Sequence, residues 1–224
     1  MSKFYVPTKG VDGWQSLLAD PVKHWKSGYS AKALAYCWED AQGFPQEIKA
    51  LFKGSDLEEI EFLLGIPENK VPLPGGLTQS QNDAFVLAKV GSELVSITVE
   101  GKVSEPFGPT LGEWLQDSSA GKGIRFDYLK KQLGLQGEIS PSVRYQLLHR
   151  TASAVIEAKR FNAAKAVMIV HSFNQESLWF DDYKAFLALY GLSAAIGELA
   201  QIKIIDGITL YLGWAKGDAK YLES

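Results

Sequence analysis

Two carboxylates and an amine lie on neighbouring apolar runs, at a spacing that could hold a metal ion. Asp83 stands in the first run, and Glu100 and Lys102 stand at the end of the second run, residues 94–103. Because side chains alternate faces along a strand, Glu100 and Lys102 are expected to point the same way. Gly91-Ser92 between the runs is typical of a tight turn, which would fold Asp83 back beside Glu100. We therefore predict that the three groups converge at one edge of a sheet.

Such a cluster is suited to phosphodiester hydrolysis with a divalent cation. Mg²⁺ takes oxygen ligands and keeps several waters, so one or two carboxylates are enough to hold it. The metal polarises the phosphate and lowers the pKa of bound water, and a nearby ammonium can orient that water. Without a cation, two carboxylates about 4 Å apart would repel by about 4 kcal/mol at an effective dielectric of about 20. Lys102 could itself supply the positive charge, so a purely structural ion pair is the alternative interpretation.

The residues Asp83 and Glu100-Gly101-Lys102 resemble the signature of the PD-(D/E)XK nuclease superfamily, with Asn82 in place of the name-giving proline. The stretch from Val99 to Gly108 is also similar to an uncharacterised bacterial group within that superfamily. The resemblance implies a restriction-endonuclease-like α/β/α sandwich with a mixed central sheet and an αβββαβ core. It also implies Mg²⁺ or Mn²⁺ as cofactor and nucleic acid, by default DNA, as substrate and partner. Asp83, Glu100 and Lys102 would be the catalytic residues.

The same resemblance implies further site residues on two helices. An acidic residue on the first core helix often completes the metal site, which makes Glu39 the third candidate ligand beside Asp83 and Glu100, with Glu47 as runner-up. A solvent-facing Glu39 is the alternative. Polar residues on the helix after the (D/E)XK strand often lie near the phosphate. Together with basic residues nearby, the set expected to contact phosphate or nucleic acid is Gln146, Arg150, Arg144 and Lys122.

The charge of the chain is unevenly distributed. The net charge is −3, which argues against general adhesion to nucleic acid. Residues 122–165 nevertheless carry nine Lys and Arg against three Asp and Glu. Clustered Lys and Arg are typical of a surface that faces a phosphate backbone. A solvated helix surface is the equally open alternative.

Length and composition favour one cytoplasmic domain. The 224 residues fit a single α/β domain, with an N-terminal helical part at about residues 13–64. The longest aliphatic stretch, residues 166–170, is too short to span a bilayer, and the first residues lack the apolar core of a signal peptide. Cys37, the single cysteine, excludes an internal disulfide and suits a reducing compartment. A homodimer is compatible with the chain but does not follow from it.

Capping and turn signals predict the order of helices and strands. The strands of the candidate site are expected between two helical parts, followed by a strand buried on both faces and a hairpin around an Asp-Gly turn. The predicted helices are 31–41 with Ser30 as cap, Pro45 to Phe52, Ser55 to Leu64, one opening at Thr110, Ser140-Pro141 to Phe161, and 177–190. The predicted loops are 67–76 and 118–123, the buried strand is 166–173, and the hairpin turns at Asp206-Gly207.

Three functions remain open on these residues. The first is metal-dependent hydrolysis of nucleic acid, which the intact Asp83, Glu100 and Lys102 favour. The second is a catalytically inactive nuclease-fold protein that serves as a binding or assembly module. The third is hydrolysis of a small phosphodiester. Zinc chemistry is disfavoured, because the three histidines show no ligand spacing such as HxxxH.

Overall fold

A six-stranded mixed sheet forms the centre of the molecule. The structure is a computed structural model that describes residues 10–117, 119–203 and 205–224. The spatial order of the strands is β1-β2-β3-β4-β6-β5. The strands are β1 Glu61–Val71, β2 Ser80–Val90, β3 Glu93–Lys102, β4 Lys165–Ser172, β5 Leu199–Lys203 and β6 Thr209–Lys216.

Strand pairing divides the sheet into an antiparallel and a parallel part. Strands β1, β2 and β3 form an antiparallel meander, and the turn at Gly91-Ser92 joins β2 to β3 as predicted. Strand β4 is parallel to both β3 and β6, and β5 returns antiparallel beside β6. A parallel neighbour requires a crossover. The helices between β3 and β4 supply it.

Helices cover both faces of the sheet. The α-helices are α1 Val11–Gln15, α2 Pro21–His24, α3 Ser30–Ala41, α4 Gln46–Phe52, α5 Leu111–Leu115, α6 Ala120–Leu133, α7 Tyr145–Phe161 and α8 Phe180–Leu187. Short 3₁₀ helices follow at Ala188–Tyr190, Ile205–Gly207 and Ala219–Glu223. One apolar cluster joins α1, α3 and α4 to the sheet, and a second joins α5 to α8 to its other face. The architecture is an α/β sandwich.

Strand β3 shows how the alternation of side chains builds the two faces. Val95, Ile97 and Val99 enter the cluster under α3 and α4. Ser96 and Thr98 face α7, where the Ser96 hydroxyl donates to the carbonyl of Ala154 at 2.9 Å and the Thr98 hydroxyl donates to the carbonyl of Arg150 at 3.2 Å. These bonds satisfy polar groups that would be costly to bury alone. They also fix α7 across the end of β3.

The predicted helix through Leu64 is wrong, and the loop predicted at 67–76 is confirmed only for residues 72–76. Residues 61–71 form β1, which completes the three-stranded meander with β2 and β3. Ser55 accepts only a local bond from the amide of Leu57 and closes a turn. Pro67 argues against a central strand, but β1 lies at the edge of the sheet, where the missing amide hydrogen of proline is tolerated.

Three boundaries differ from their predictions. The expected polar loop at 118–123 contains the start of α6, which the Ser119 side chain caps at the amide of Lys122; residue 118 lies outside the described residues. The helix expected from Ser140 begins at Tyr145. Ser30 is the first residue of α3 rather than its cap.

Other predictions are confirmed. The predicted capping box at Thr110 is formed with Glu113. Strand β4 is buried on both faces from residue 166 onward, and β5 and β6 pair antiparallel around the predicted hairpin. Within the described ranges, no helix has both the length and the apolar character needed to cross a membrane.

Candidate active site

The carboxylate of Glu100 lies at the centre of a buried polar cluster. Lys102 Nζ lies 2.6 Å from Oε1, Gln146 Nε2 donates to the same oxygen at 2.7 Å, and Arg150 Nε donates to Oε2 at 2.5 Å. Only 3% of Glu100 and 3% of Lys102 are exposed. Burial alone would raise the pKa of Glu100, but Arg150 and Lys102 lower it below its ordinary value. Glu100 is therefore a carboxylate held ionised by two cations.

Asp83 lies beside Glu100, as predicted. The register of β2 and β3 pairs Ala84 with Val99, which puts Asp83 opposite Glu100. The amide of Gly101 donates to Asp83 Oδ2 at 2.7 Å. Burial, together with the carboxylates of Glu100 and Glu68, raises the pKa of Asp83 well above its ordinary value. In the absence of a cation, this carboxyl group therefore tends to keep its proton.

Sequence analysis missed a third acidic residue, Glu68 on β1. It stands between the pairs Pro67–Ala84 and Asn69–Asn82, so it lies opposite Asp83. Its φ of 52° is in the left-handed region, which is uncommon for a residue other than glycine and is concentrated at functional sites. Gln81 Nε2 donates to Glu68 Oε2 at 2.6 Å, and burial raises the pKa of Glu68 to about 7.

Lys102 is held between two oxygen acceptors and an aromatic ring. Besides Glu100, its ammonium donates to Gln146 Oε1 at 3.3 Å, and it lies 4.8 Å from the centroid of the Phe107 ring. Gln146 and Arg150 are one turn apart on α7, so both reach Glu100 from the same face of the helix. The predicted grouping of these two residues with Glu100 and Lys102 therefore agrees with the structure.

These groups line a cavity of about 520 Å³. Its lining includes Glu68, Asp83, Glu100 and Lys102, together with residues of α2 and of the start of α3. This volume is within the range of small-ligand pockets, about 300–1,000 Å³. Glu105, in the loop after β3, also lines the cavity and accepts bonds from the amides of Ser30 and Val103.

Three predicted site residues lie elsewhere. Glu39 is buried on α3 and accepts a hydrogen bond from Trp14 Nε1 at 2.8 Å. Lys122 donates to the carbonyl of Trp114 at 2.6 Å, and Arg144 pairs with Asp182 at 3.0 Å. None of the three is among the residues that line the cavity. The structure therefore does not bring Glu39, Lys122 or Arg144 together with Asp83 and Glu100, and the roles predicted for these three residues stay predictions.

Comparison with known proteins identifies a family. The sequence profile described as "Domain of unknown function (DUF6946)" matches residues 7–219. This chain belongs to that family. No curated protein and no solved structure matches it.

A second cluster in this member of the family combines Cys37, Glu47 and His171. Their ligand atoms lie within 4.8 Å of one another, and no other trio of Cys, His, Asp or Glu among the described residues is as close. Trp38 Nε1 donates to His171 Nδ1 at 3.1 Å, so the neutral ring carries its proton on Nε2, which faces Glu47 Oε1 at 2.8 Å. A metal needs a free lone pair on a ring nitrogen, and both nitrogens of His171 are already engaged in hydrogen bonds. We interpret this cluster as structural, and Glu47 as its member rather than a ligand of the cavity.

Proposed function

We propose that this protein is a divalent-metal-dependent phosphodiesterase of the restriction-endonuclease-like type that acts on nucleic acid. The observation that carries the proposal is the convergence of Asp83, Glu100 and Lys102 in one cavity. Adjacent strands supply the two carboxylates, and the buried ammonium comes from the same strand as Glu100. DNA is the default substrate by analogy with the superfamily that the motif resembles.

The order of the elements supports the restriction-endonuclease-like assignment. Helices α3 and α4 precede the β1–β2–β3 meander, α7 packs across β3, and β4 pairs parallel to β3. This is the αβββαβ order that the resemblance implies. Asp83 stands near the start of the second strand of the meander, and Glu100 and Lys102 stand at the end of the third, so the antiparallel pairing puts all three at the same end of the sheet.

The residues of the cavity fit a hard divalent cation. Asp83 and Glu100 offer carboxylate oxygens; Glu68 on the neighbouring strand also lines the cavity, but the three carboxylates do not all lie within 4.8 Å of one another. Oxygen donors of this kind suit Mg²⁺ or Mn²⁺. When bound, such an ion neutralises charge on a phosphate and lowers the pKa of water. A cation would also offset the burial and repulsion that raise the pKa of Asp83.

Three side chains of the site have separate proposed roles in the reaction. Lys102 presents an ammonium beside Glu100 that can orient the attacking water or donate a proton to the leaving oxygen. Arg150 donates to Glu100 Oε2 and lies 3.3 Å from Ser80 Oγ, so it holds the carboxylate in place. We therefore assign Arg150 to positioning of Glu100, and Gln146 to orientation of both Glu100 and Lys102.

A cleavage panel tests this function. Plasmid, single-stranded DNA and RNA are incubated with Mg²⁺ or Mn²⁺ and with wild-type protein or Lys102→Ala. We expect metal-dependent cleavage of at least one substrate by the wild type. Lys102→Ala should reduce it by at least a hundredfold, since general acid–base groups contribute about 10²–10⁴-fold. Equal cleavage by the two proteins would contradict the role of Lys102.

One observation favours the alternative of an inactive binding or assembly module. Glu100 is already paired with both Lys102 and Arg150, so its charge is balanced without a metal. A site retained only for structure would show this arrangement too. The two functions differ in whether a divalent ion binds the folded protein.

A further inference from the structure

The burial and the volume of the cavity bear on whether a single strand or a duplex can reach the candidate catalytic residues. Glu100 and Lys102 are each only 3% exposed, so a phosphate has to enter the cavity to reach them. A duplex is stiff over about 150 base pairs and carries its phosphates on a wide cylinder. A single strand is flexible enough to place one phosphate and its base inside. The volume of about 520 Å³ suits a small part of a strand rather than a duplex.

The lining of the cavity also includes an exposed aromatic ring and a cation. Tyr29 is 42% exposed and lines the cavity, and it is the only exposed aromatic residue among the described ones. The amide of Ser30, the next residue, donates to Glu105 Oε1 at 3.0 Å. Glu105 also accepts from the amide of Val103, one residue after Lys102. The backbone beside Tyr29 is thus tied to the loop that follows the candidate catalytic strand.

Lys23 supplies the cation. It is exposed on α2 and lines the same cavity. The Asp20 side chain accepts bonds from the amides of Val22 and Lys23 and so caps this short helix. Among the described residues, no carboxylate lies within ion-pair distance of Lys23. Its charge remains available to a ligand.

We propose that Tyr29 and Lys23 form a binding site for single-stranded nucleic acid at the mouth of the cavity, with Tyr29 stacking on a base and Lys23 contacting a phosphate. Base stacking on aromatic residues and contact of cations with the backbone are the two general elements of single-strand binding. The inference rests on the proposed function, and it restricts the substrate to single strands or frayed ends. A duplex would bind only where its strands separate.

Fluorescence anisotropy tests the site without requiring cleavage. A labelled oligonucleotide and the same strand in a closed, blunt hairpin are titrated with wild-type protein in Ca²⁺, and a gel confirms that both stay intact. The single strand should bind at least tenfold more tightly than the duplex. Tyr29→Ala should weaken single-strand binding about fivefold or more, and Tyr29→Phe should retain it, because both rings stack.

The salt dependence separates Lys23 from a general charge effect. Removal of one phosphate contact lowers the slope of log Kd against log salt by about 0.7 for a single strand. Lys23→Ala should show that decrease, and Lys26→Ala, a matched exposed lysine outside the lining, should not. Equal affinity for duplex and single strand, no effect of Tyr29→Ala, or equal effects of the two lysine variants would each overturn the inference. Binding with these properties but without cleavage in Mg²⁺ would support this site and contradict only the hydrolytic function.

Discussion

Glu100 is the shared hydrogen-bond acceptor of the buried polar cluster. Its two carboxylate oxygens are shared among Lys102, Gln146 and Arg150. Because these groups are buried, their mutual bonds offset desolvation that would otherwise be large. Removal of one partner therefore leaves Glu100 with fewer of the bonds that offset its desolvation.

Arg150→Met should lower the free energy of unfolding by about 3 kcal/mol, since it leaves the buried Glu100 with one cation fewer. Lys131→Met is the control: this lysine is exposed on α6 and belongs to none of the ion pairs found among the described residues, so we expect a change within about 0.5 kcal/mol. Urea unfolding measures both. A loss below about 1 kcal/mol for Arg150→Met would show that the Glu100 charge does not depend on Arg150.

Glu68→Gln should change how stability depends on pH. Burial raises the pKa of Glu68 to about 7, whereas a glutamate in an unfolded chain has a pKa of about 4.3. Between these values the folded state binds more protons than the unfolded state, so the contribution of Glu68 to stability falls as pH rises. Above pH 7 the penalty approaches about 4 kcal/mol.

The variant lacks this penalty. The difference in unfolding free energy, Glu68→Gln minus wild type, should therefore increase by up to about 3 kcal/mol from pH 5 to pH 8 in metal-free buffer. Denaturant unfolding at several pH values measures it. A difference that is flat across this range would show that Glu68 ionises as an ordinary exposed glutamate does.

At the scale of elements, the loop between β1 and β2 packs closely on the start of α6. A Cβ atom on Gly75 would lie 2.0 Å from the carbonyl oxygen of Gly121, and one on Gly121 would lie 2.4 Å from the carbonyl oxygen of Gly75. Both obstacles are backbone atoms, which cannot rotate away. The two glycines therefore allow the loop and the helix to approach.

Gly121→Ala should accordingly destabilise the protein by about 1–3 kcal/mol through overpacking. Gly123→Ala, two residues later in α6, meets nothing within 4 Å and should stabilise by up to about 1 kcal/mol through helix propensity. Thermal or denaturant unfolding of the pair measures the contrast. A stabilising Gly121→Ala would contradict the close packing.

The elements that sequence reasoning recovered are those with local signals. The turn at Gly91-Ser92, the alternation in β3 and the capping box at Thr110 depend on neighbouring residues, so they are visible in the sequence. Strand β1 was missed because it contains Pro67. A proline is tolerated in an edge strand, but only the complete sheet shows that β1 lies at an edge. The first turn of α6 was predicted as a loop because it contains Gly121 and Gly123, and glycine is unfavourable inside helices.

The same limit applies to the candidate site. Asp83, Glu100 and Lys102 were found from their spacing, and Gln146 and Arg150 from their stripe on one helix. Glu68 could not be found in this way, because its place opposite Asp83 follows from the pairing of β1 with β2. Glu39 lies outside the cavity lining, and its bond to Trp14 could not be predicted because it joins residues 25 positions apart.

At the scale of the whole molecule, the basic residues do not form one free surface. Eight of the nine Lys and Arg in the segment 122–165 bond to groups of the same chain. The excess of positive charge there is largely used in packing the helices. Recognition of nucleic acid would therefore depend on the cavity and its mouth.

The central claim is that Asp83 and Glu100 share a divalent ion, and the most direct test is the unfolding free energy with and without Mg²⁺. At a hundred times its dissociation constant, the ion should add about 2.7 kcal/mol to the stability of the wild type. Asp83→Asn and Glu100→Gln should lose this gain, and Glu39→Gln, which lies outside the cavity, should keep it. No gain for the wild type at millimolar Mg²⁺ or Mn²⁺, or an equal gain in all four proteins, would contradict the account.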